Sequence, residues 1–287
     1  MHSQMNAVFN DFYAGIKAYH LSLGYHRQEI KTNFSWGLNY HDYGTIIQTD
    51  ASGNTFGKFR PVDWVMQFSA SRKYLDIWNY GATLKFINSD YGQYSSNGLA
   101  MDIGVLYEDS SKLISASVLV KNLGFQLKAY EGTSGDDLPF DLQAGITKRL
   151  INAPLSFSLT GHHLQRFNIA YNDTTFNNDN GFGNETGKKF SFDKLFRHIV
   201  IGTTIYIGDH VELTAGYSYL RRKELNIGSG SNGLNGFSIG FSAIFEKLQI
   251  RVARSNYQNN SAYNQFGLNL QLNKYFGLGK FGEKMGW

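Results

Sequence analysis

Apolar and polar side chains alternate one by one along most of this chain. The clearest stretch is 264–276, N-Q-F-G-L-N-L-Q-L-N-K-Y-F, where Phe266, Leu268, Leu270 and Leu272 share one face and Gln265, Gly267, Asn269, Gln271 and Asn273 the other. A period of two means a strand whose two faces meet different surroundings. The same period recurs at 5–12, 16–25, 34–40, 64–70, 80–86, 99–107, 114–120, 140–146, 155–159, 199–207, 211–219, 237–245 and 248–255. Counting 264–276, the pattern predicts fourteen strands.

The connections alternate as well. Short ones at 26–29, 73–77, 108–112, 149–154, 208–210 and 246–247 are interleaved with longer polar intervals at 41–58, 88–96, 122–139, 167–193 and 220–234. In an antiparallel meander this gathers every long connection at one end. A soluble sandwich has no reason to segregate its loops, whereas outer-membrane barrels have short periplasmic turns and longer extracellular loops. The expected fold is all-β, a transmembrane antiparallel up-and-down β-barrel of about 14 strands in a Gram-negative outer membrane. Long loops then face the outside, and an even strand count leaves both termini in the periplasm.

Composition sharpens this reading. Gly (31), Phe (22) and Tyr (18) are abundant, Pro (3) is scarce, and charged residues make up only 17%. Mean hydropathy is nonetheless −0.33, and no apolar run reaches the roughly 18 residues a membrane helix needs. A barrel reconciles the two facts, because each strand shows lipid only every second side chain. Aromatics near predicted strand ends, Tyr40, Trp64, Trp78, Tyr107, Tyr217, Tyr219 and Tyr257, fit interfacial girdles. The chain has no Cys, which removes thiolate metal sites and cysteine nucleophiles. Its net charge of +4 is spread out, so no nucleic-acid partner is indicated. The opening M-H-S-Q-M-N-A-V-F lacks the basic region and apolar core of a signal peptide. Residues 1–276 are read as one barrel domain and 277–287 as a periplasmic tail.

Candidate chemistry is sparse. No H-E-x-x-H, P-loop or G-x-S-x-G pattern occurs, so no catalytic, cofactor or metal residues are assigned and the protein is expected not to be an enzyme. His162 and His163, adjacent on a strand, should point to opposite faces. Lys85, Asp102, Glu212 and Arg251 fall on the lumen face, where such charges are expected to pair across strands or onto a plug. Arg221, Arg222 and Lys223 stand at the base of a long loop, suited to lipid phosphates, to a partner's acidic surface or simply to solvent. The loop 172–189 carries Asp173, Asp179 and Glu185 among Asn and Gly without EF-hand spacing, and either disorder or ordering against a partner is expected of it. Gln265, Gly267, Leu270 and Leu272 are spaced polar-x-Gly-x-x-apolar-x-apolar, similar to the β-signal read by the barrel assembly machinery on a last strand.

The segments L-V-K-N-L-G-F-Q-L-K (119–128), L-P-F-D-L-Q-A-G-I (138–146), H-H-L-Q-R-F (162–167), A-G-Y-S-Y-L-R-R-K-E-L (215–225) and G-F-S-I-G-F (236–241) resemble, in order, the PorQ family of type IX secretion system outer-membrane proteins. The resemblance implies a FadL-like fourteen-stranded barrel in a cell-surface attachment complex, with a PorZ-type surface protein and PorU- and PorV-type components. That complex removes the C-terminal signal of secreted cargo and links the cargo to lipopolysaccharide. The chemistry belongs to the PorU-type partner, and outer-membrane lipid and lipopolysaccharide surround the barrel. The family's N-P-A-type segment and plug are not visible before the first strand. The competing reading is a FadL-like transporter of hydrophobic small molecules, which needs an N-terminal hatch and a lateral opening in the wall.

Overall fold

The structure is a computed structural model that describes residues 3–169, 191–225, 233–258 and 261–273. The alternating segments form one closed barrel. Its strands are β1 (Ser3–Asp11), β2 (Lys17–Arg27), β3 (Thr32–Asp42), β6 (Val62–Tyr74), β7 (Trp78–Tyr91), β8 (Tyr94–Glu108), β9 (Ile114–Lys128), β10 (Asp141–Arg149), β11 (Leu155–Gly161), β12 (Ile199–Ile207), β13 (Val211–Ser218), β14 (Phe237–Ile244), β15 (Leu248–Gln258) and β16 (Ser261–Leu270). Neighbours pair antiparallel in chain order, and β4 (Ile46–Thr49) with β5 (Thr55–Phe59) makes a separate hairpin between β3 and β6. The stretch 264–270 closes the ring against β1, from Met5↔Leu270 to Asp11↔Asn264. All fourteen expected strands are present, and the fold class is as the alternation predicts.

Burial separates a membrane barrel from a packed sandwich. Among the described residues the buried apolar side chains are Ala18, Ala100 and Pro61, far too little for a hydrophobic core. Large apolar side chains stand outside instead: Phe68 is 56% exposed, Leu84 62% and Ile239 64%. Such a continuous apolar exterior is tolerable only against lipid. Aromatic pairs stand at both ends of the wall, Trp78 with Tyr107 at 5.0 Å and Tyr217 with Phe237 at 4.7 Å. No helix among the described residues is long and apolar enough to cross a membrane.

One rim carries only short turns. The opposite rim carries the long connections, but not every interval expected to be long is a loop. Residues 88–96 are the ends of β7 and β8, which pair up to Tyr91↔Tyr94 and turn at Gly92 with φ +78°. That stretch is polar on both faces because it extends past the apolar band, so alternation stops while the strand continues. The interval 122–139 is shortened for another reason, since β9 runs on to Lys128 through a bulge. Across the bulge the outward side changes parity, from Ile114, Val118 and the other even positions to Leu123, Phe125 and Leu127. The interval 41–58 contains the β4–β5 hairpin, which the sequence reading places in a loop.

Candidate functional site at the rim of long connections

The bulge in β9 is where the lumen charges matter. Met101 pairs with Leu123 and Ile103 with Val120, so Lys121 and Asn122 together face the single residue Asp102. Asn122 adopts φ 57°, a left-handed conformation that asparagine tolerates better than most residues. Its freed backbone N–H donates to Asp102 Oδ1 at 2.9 Å. Lys85 Nζ reaches Asp102 Oδ2 at 2.5 Å and donates to Asn122 Oδ1 at 3.1 Å. The Asn122 side chain then donates to the Pro139 carbonyl at 2.9 Å, tying the bulge to the connection that leads into β10.

Beside it, β10 opens on the buried Asp141, whose Oδ1 accepts from the His163 backbone N–H at 2.7 Å. Gln165 clamps the same corner, accepting from Leu142 N at 3.0 Å and donating to Phe140 O at 2.6 Å. His198 is buried beyond the end of β12, with Nδ1 2.8 Å from His162 O and Nε2 3.2 Å from Phe167 O. The two adjacent histidines do not diverge as strand geometry predicts. The strand ends at Gly161, His163 turns to φ 52°, and the rings meet edge to face at 5.1 Å. Burial, then the neighbouring His163, pushes the His162 imidazole down from its usual pKa.

Two short helices complete this side, α1 (Phe192–Arg197) and α2 (Tyr219–Glu224). Ser218 caps α2, accepting from Arg221 N at 3.4 Å. Asp193 joins the helices: it accepts from Tyr219 Oη at 2.6 Å and from Arg197 Nε at 2.8 Å, with Lys223 Nζ 3.6 Å away. The Tyr219 hydroxyl foremost, and then Arg197, holds the Asp193 carboxyl below the usual carboxylate range. A depressed carboxylate pKa stabilises the joint above the unfolded-state value of about 4, and that stabilisation is lost as pH falls through the folded value. A spin label at Glu224→Cys, the sole thiol in the chain, should therefore gain mobility below about pH 4. Asp193→Asn should show that mobility already at neutral pH. A label indifferent to both would remove Asp193 as the joint.

The expected site residues are thus sorted. Lys85 and Asp102 meet, while Glu212 lies opposite Tyr206 and Ser242 and Arg251 donates to Gln249 at 3.1 Å, and neither Glu212 nor Arg251 has an ion pair among the described residues. The two lie in one row across Ser242 of β14, and the Arg251 guanidinium turns to Gln249 on its own strand instead. Arg221, Arg222 and Lys223 lie on α2 and not in a loop, and each is partly engaged: Arg221 with Glu224 at 3.7 Å, Arg222 with the Gly233 carbonyl, and Lys223 over the Tyr219 ring at 5.5 Å. Tyr219 belongs to this joint and not to a girdle. Asp173, Asp179 and Glu185 lie outside the described residues, as do the 277–287 tail and the Tyr257 side chain. Gln265 faces the lumen and donates to Asn10 Oδ1 at 2.8 Å across the seam, beside Tyr263 Oη at 2.7 Å from the same acceptor. Gly267 pairs with Val8 and Arg251, Leu270 ends β16, and Leu272 follows the strand.

Asp141, Gln165 and Asp193 are the residues the sequence reading misses. Asp193 and Arg197 had a usable signal, opposite charges at i and i+4. Asp141 is read simply as a lumen-facing position on its strand.

No protein-family model and no curated protein matches the chain. Among solved structures, a deletion mutant of the TodX monoaromatic hydrocarbon channel superposes with a TM-score of 0.51 at 11% identity, covering 93% of this chain and 88% of that one. The KdgM porin reaches 0.39 at 5% identity, covering 93% and 98%. An outer membrane protein of Acinetobacter baumannii reaches 0.44 at 5%, covering 94% and 97%. The likeness is one of fold, and the fold is that of outer-membrane β-barrels.

Proposed function

We propose that the protein is a non-enzymatic outer-membrane barrel that holds a surface partner on its rim of long connections, as the PorQ resemblance implies for the attachment complex of type IX secretion. The observation that supports this reading is spatial. Segments 119–128, 138–146, 162–167, 215–225 and 236–241 lie on neighbouring strands β9 to β14 and build the bulge, the Asp141 corner and α2. Sequence character concentrated on one rim suits docking better than transport. In this reading the rim faces outward and both termini face the periplasm.

A second reading, a conduit for hydrophobic small molecules, draws support from the fold likeness to the TodX channel, and it is the reading that the comparisons favour. Against it stands the wall: each described pair of neighbouring barrel strands is laddered, with only local register shifts in β8–β9 and β15–β16.

Purification from native outer membranes with mass spectrometry separates the two. The attachment reading expects a PorZ-type surface protein to co-purify, and to be lost when Arg221, Arg222 and Lys223 are changed together to Glu. Uptake of an aromatic hydrocarbon by liposomes carrying the purified barrel, with no such protein co-purifying, would decide for the conduit.

A further inference from the structure

The outer wall carries a recess near the short-turn rim. Tyr25, Phe34, Ala70 and Ala82 lie in one row across β2, β3, β6 and β7, with Phe68 and Leu84 in the row above. The two alanines leave a hollow of about 490 Å³ among aromatic and aliphatic walls. One outward step closer to the rim, the row reads Arg27, Thr32, Arg72, Tyr80. Arg27 and Arg72 are therefore two strand spacings apart, roughly 10 Å between backbones, and both side chains are long enough to converge on one group. Tyr25 and Tyr80 are 53% and 46% exposed beside them, where amphipathic rings mark the level of lipid headgroups.

The surrounding charges favour an anion. Arg27 pairs with Glu29 at 3.0 Å, but both side chains are more than half exposed, so the pair is readily exchanged. Lys73 and Asp76 stand 3.9 Å apart and cancel each other. Arg72 is exposed and has no hydrogen bond or ion pair among the described residues. Thr32 Oγ1 donates to the Ile30 carbonyl at 2.9 Å, leaving the arginines as the donors. Guanidinium forks match phosphate oxygens in geometry and charge.

We propose that this is a binding site for an anionic glycerophospholipid, with one acyl chain laid over Ala70 and Ala82 and the phosphate held between Arg27 and Arg72. The inference rests on the membrane reading of the barrel and is independent of the attachment role. The leaflet it would serve is the periplasmic one if the long connections face outward.

The test is native mass spectrometry of the full chain in detergent with equal amounts of phosphatidylglycerol and phosphatidylcholine. The wild type should retain phosphatidylglycerol preferentially, and each of Arg27→Gln and Arg72→Gln should reduce that preference roughly fivefold. Ala82→Leu, which fills the hollow, should weaken retention of both lipids. Excess inorganic phosphate should not displace the lipid. Equal retention of the two lipids by the wild type, an undiminished preference in the Arg27→Gln, Arg72→Gln double variant, or displacement by phosphate alone would each overturn the proposal. Heat-modifiable gel mobility of every variant confirms that it has folded.

Discussion

Gly124→Ala is expected to prevent the barrel from closing. A Cβ built on Gly124 would lie 2.0 Å from the Leu99 carbonyl oxygen and 2.6 Å from Ala100 Cα. Those atoms belong to the backbone of β8, laddered to β7 on its other side, so neither strand can retreat without breaking pairs. The close approach follows from the bulge two residues earlier, which drives β9 towards β8 as it changes parity. Overpacking against flexible side chains costs about 1–3 kcal/mol, and backbone against backbone lies at or beyond the upper end. The expected result is loss of the heat-modifiable, folded band and of the protein from the outer membrane. Gly104→Ala is the control in the same strand pair, because its Cβ would approach the movable Leu119 Cδ1 to 3.2 Å and the Val118 carbonyl oxygen only to an ordinary 3.8 Å. If Gly124→Ala assembles as well as Gly104→Ala, the bulge does not need the glycine.

The same bulge shows why some of the fold is legible in the sequence and some is not. Where lipid lies on one side and lumen on the other, as along 264–270, each side chain reports its face and the strand can be read directly. Past the apolar band both faces meet water. There 88–96 continues as strand without any alternation to betray it. At Lys121 and Asn122 the strand is lipid-facing on both sides of the break, but the parity change disrupts the period and the second half, Leu123 to Leu127, reads as loop. Asn followed at two residues by Gly was the available sign, one residue suited to positive φ and one to close approach.

The rim is harder to read because its contacts join residues far apart in the chain. Asp141 with His163, His198 with His162 and Phe167, and Asp193 with Tyr219 each depend on which strand ends the barrel sets side by side. Segments 138–146, 162–167 and 215–225 run to this rim, but nothing in them signals that Asp141 would anchor the corner or that Arg221 to Lys223 would be helical. Lumen charges occupy the middle ground. Period two correctly places Lys85 and Asp102 on the inner face, while their contact requires the β7–β8 register that sets Lys85 opposite Ala100, one inward position from Asp102.

That contact sets the second large effect. Lys85 and Asp102 side chains are only 12% and 16% exposed, so removing one partner leaves a poorly hydrated charge. Lys85→Met should destabilise the barrel by about 3 kcal/mol, the lower end of the range for breaking a buried pair, because the Asn122 N–H still serves the carboxylate. Asp102→Asn should cost a similar amount, since it strands the ammonium and offers the bulge N–H a weaker acceptor. The double variant should be more stable than the sum of the two losses predicts, because no uncompensated charge remains. Urea unfolding of the detergent-solubilised barrel, followed by tryptophan fluorescence, measures all three. Strict additivity would mean that the two charges stabilise the wall separately. Coupling of 1 kcal/mol or more would establish that the bulge is held by the pair, and with it the position at which β9 turns its apolar face back towards the lipid.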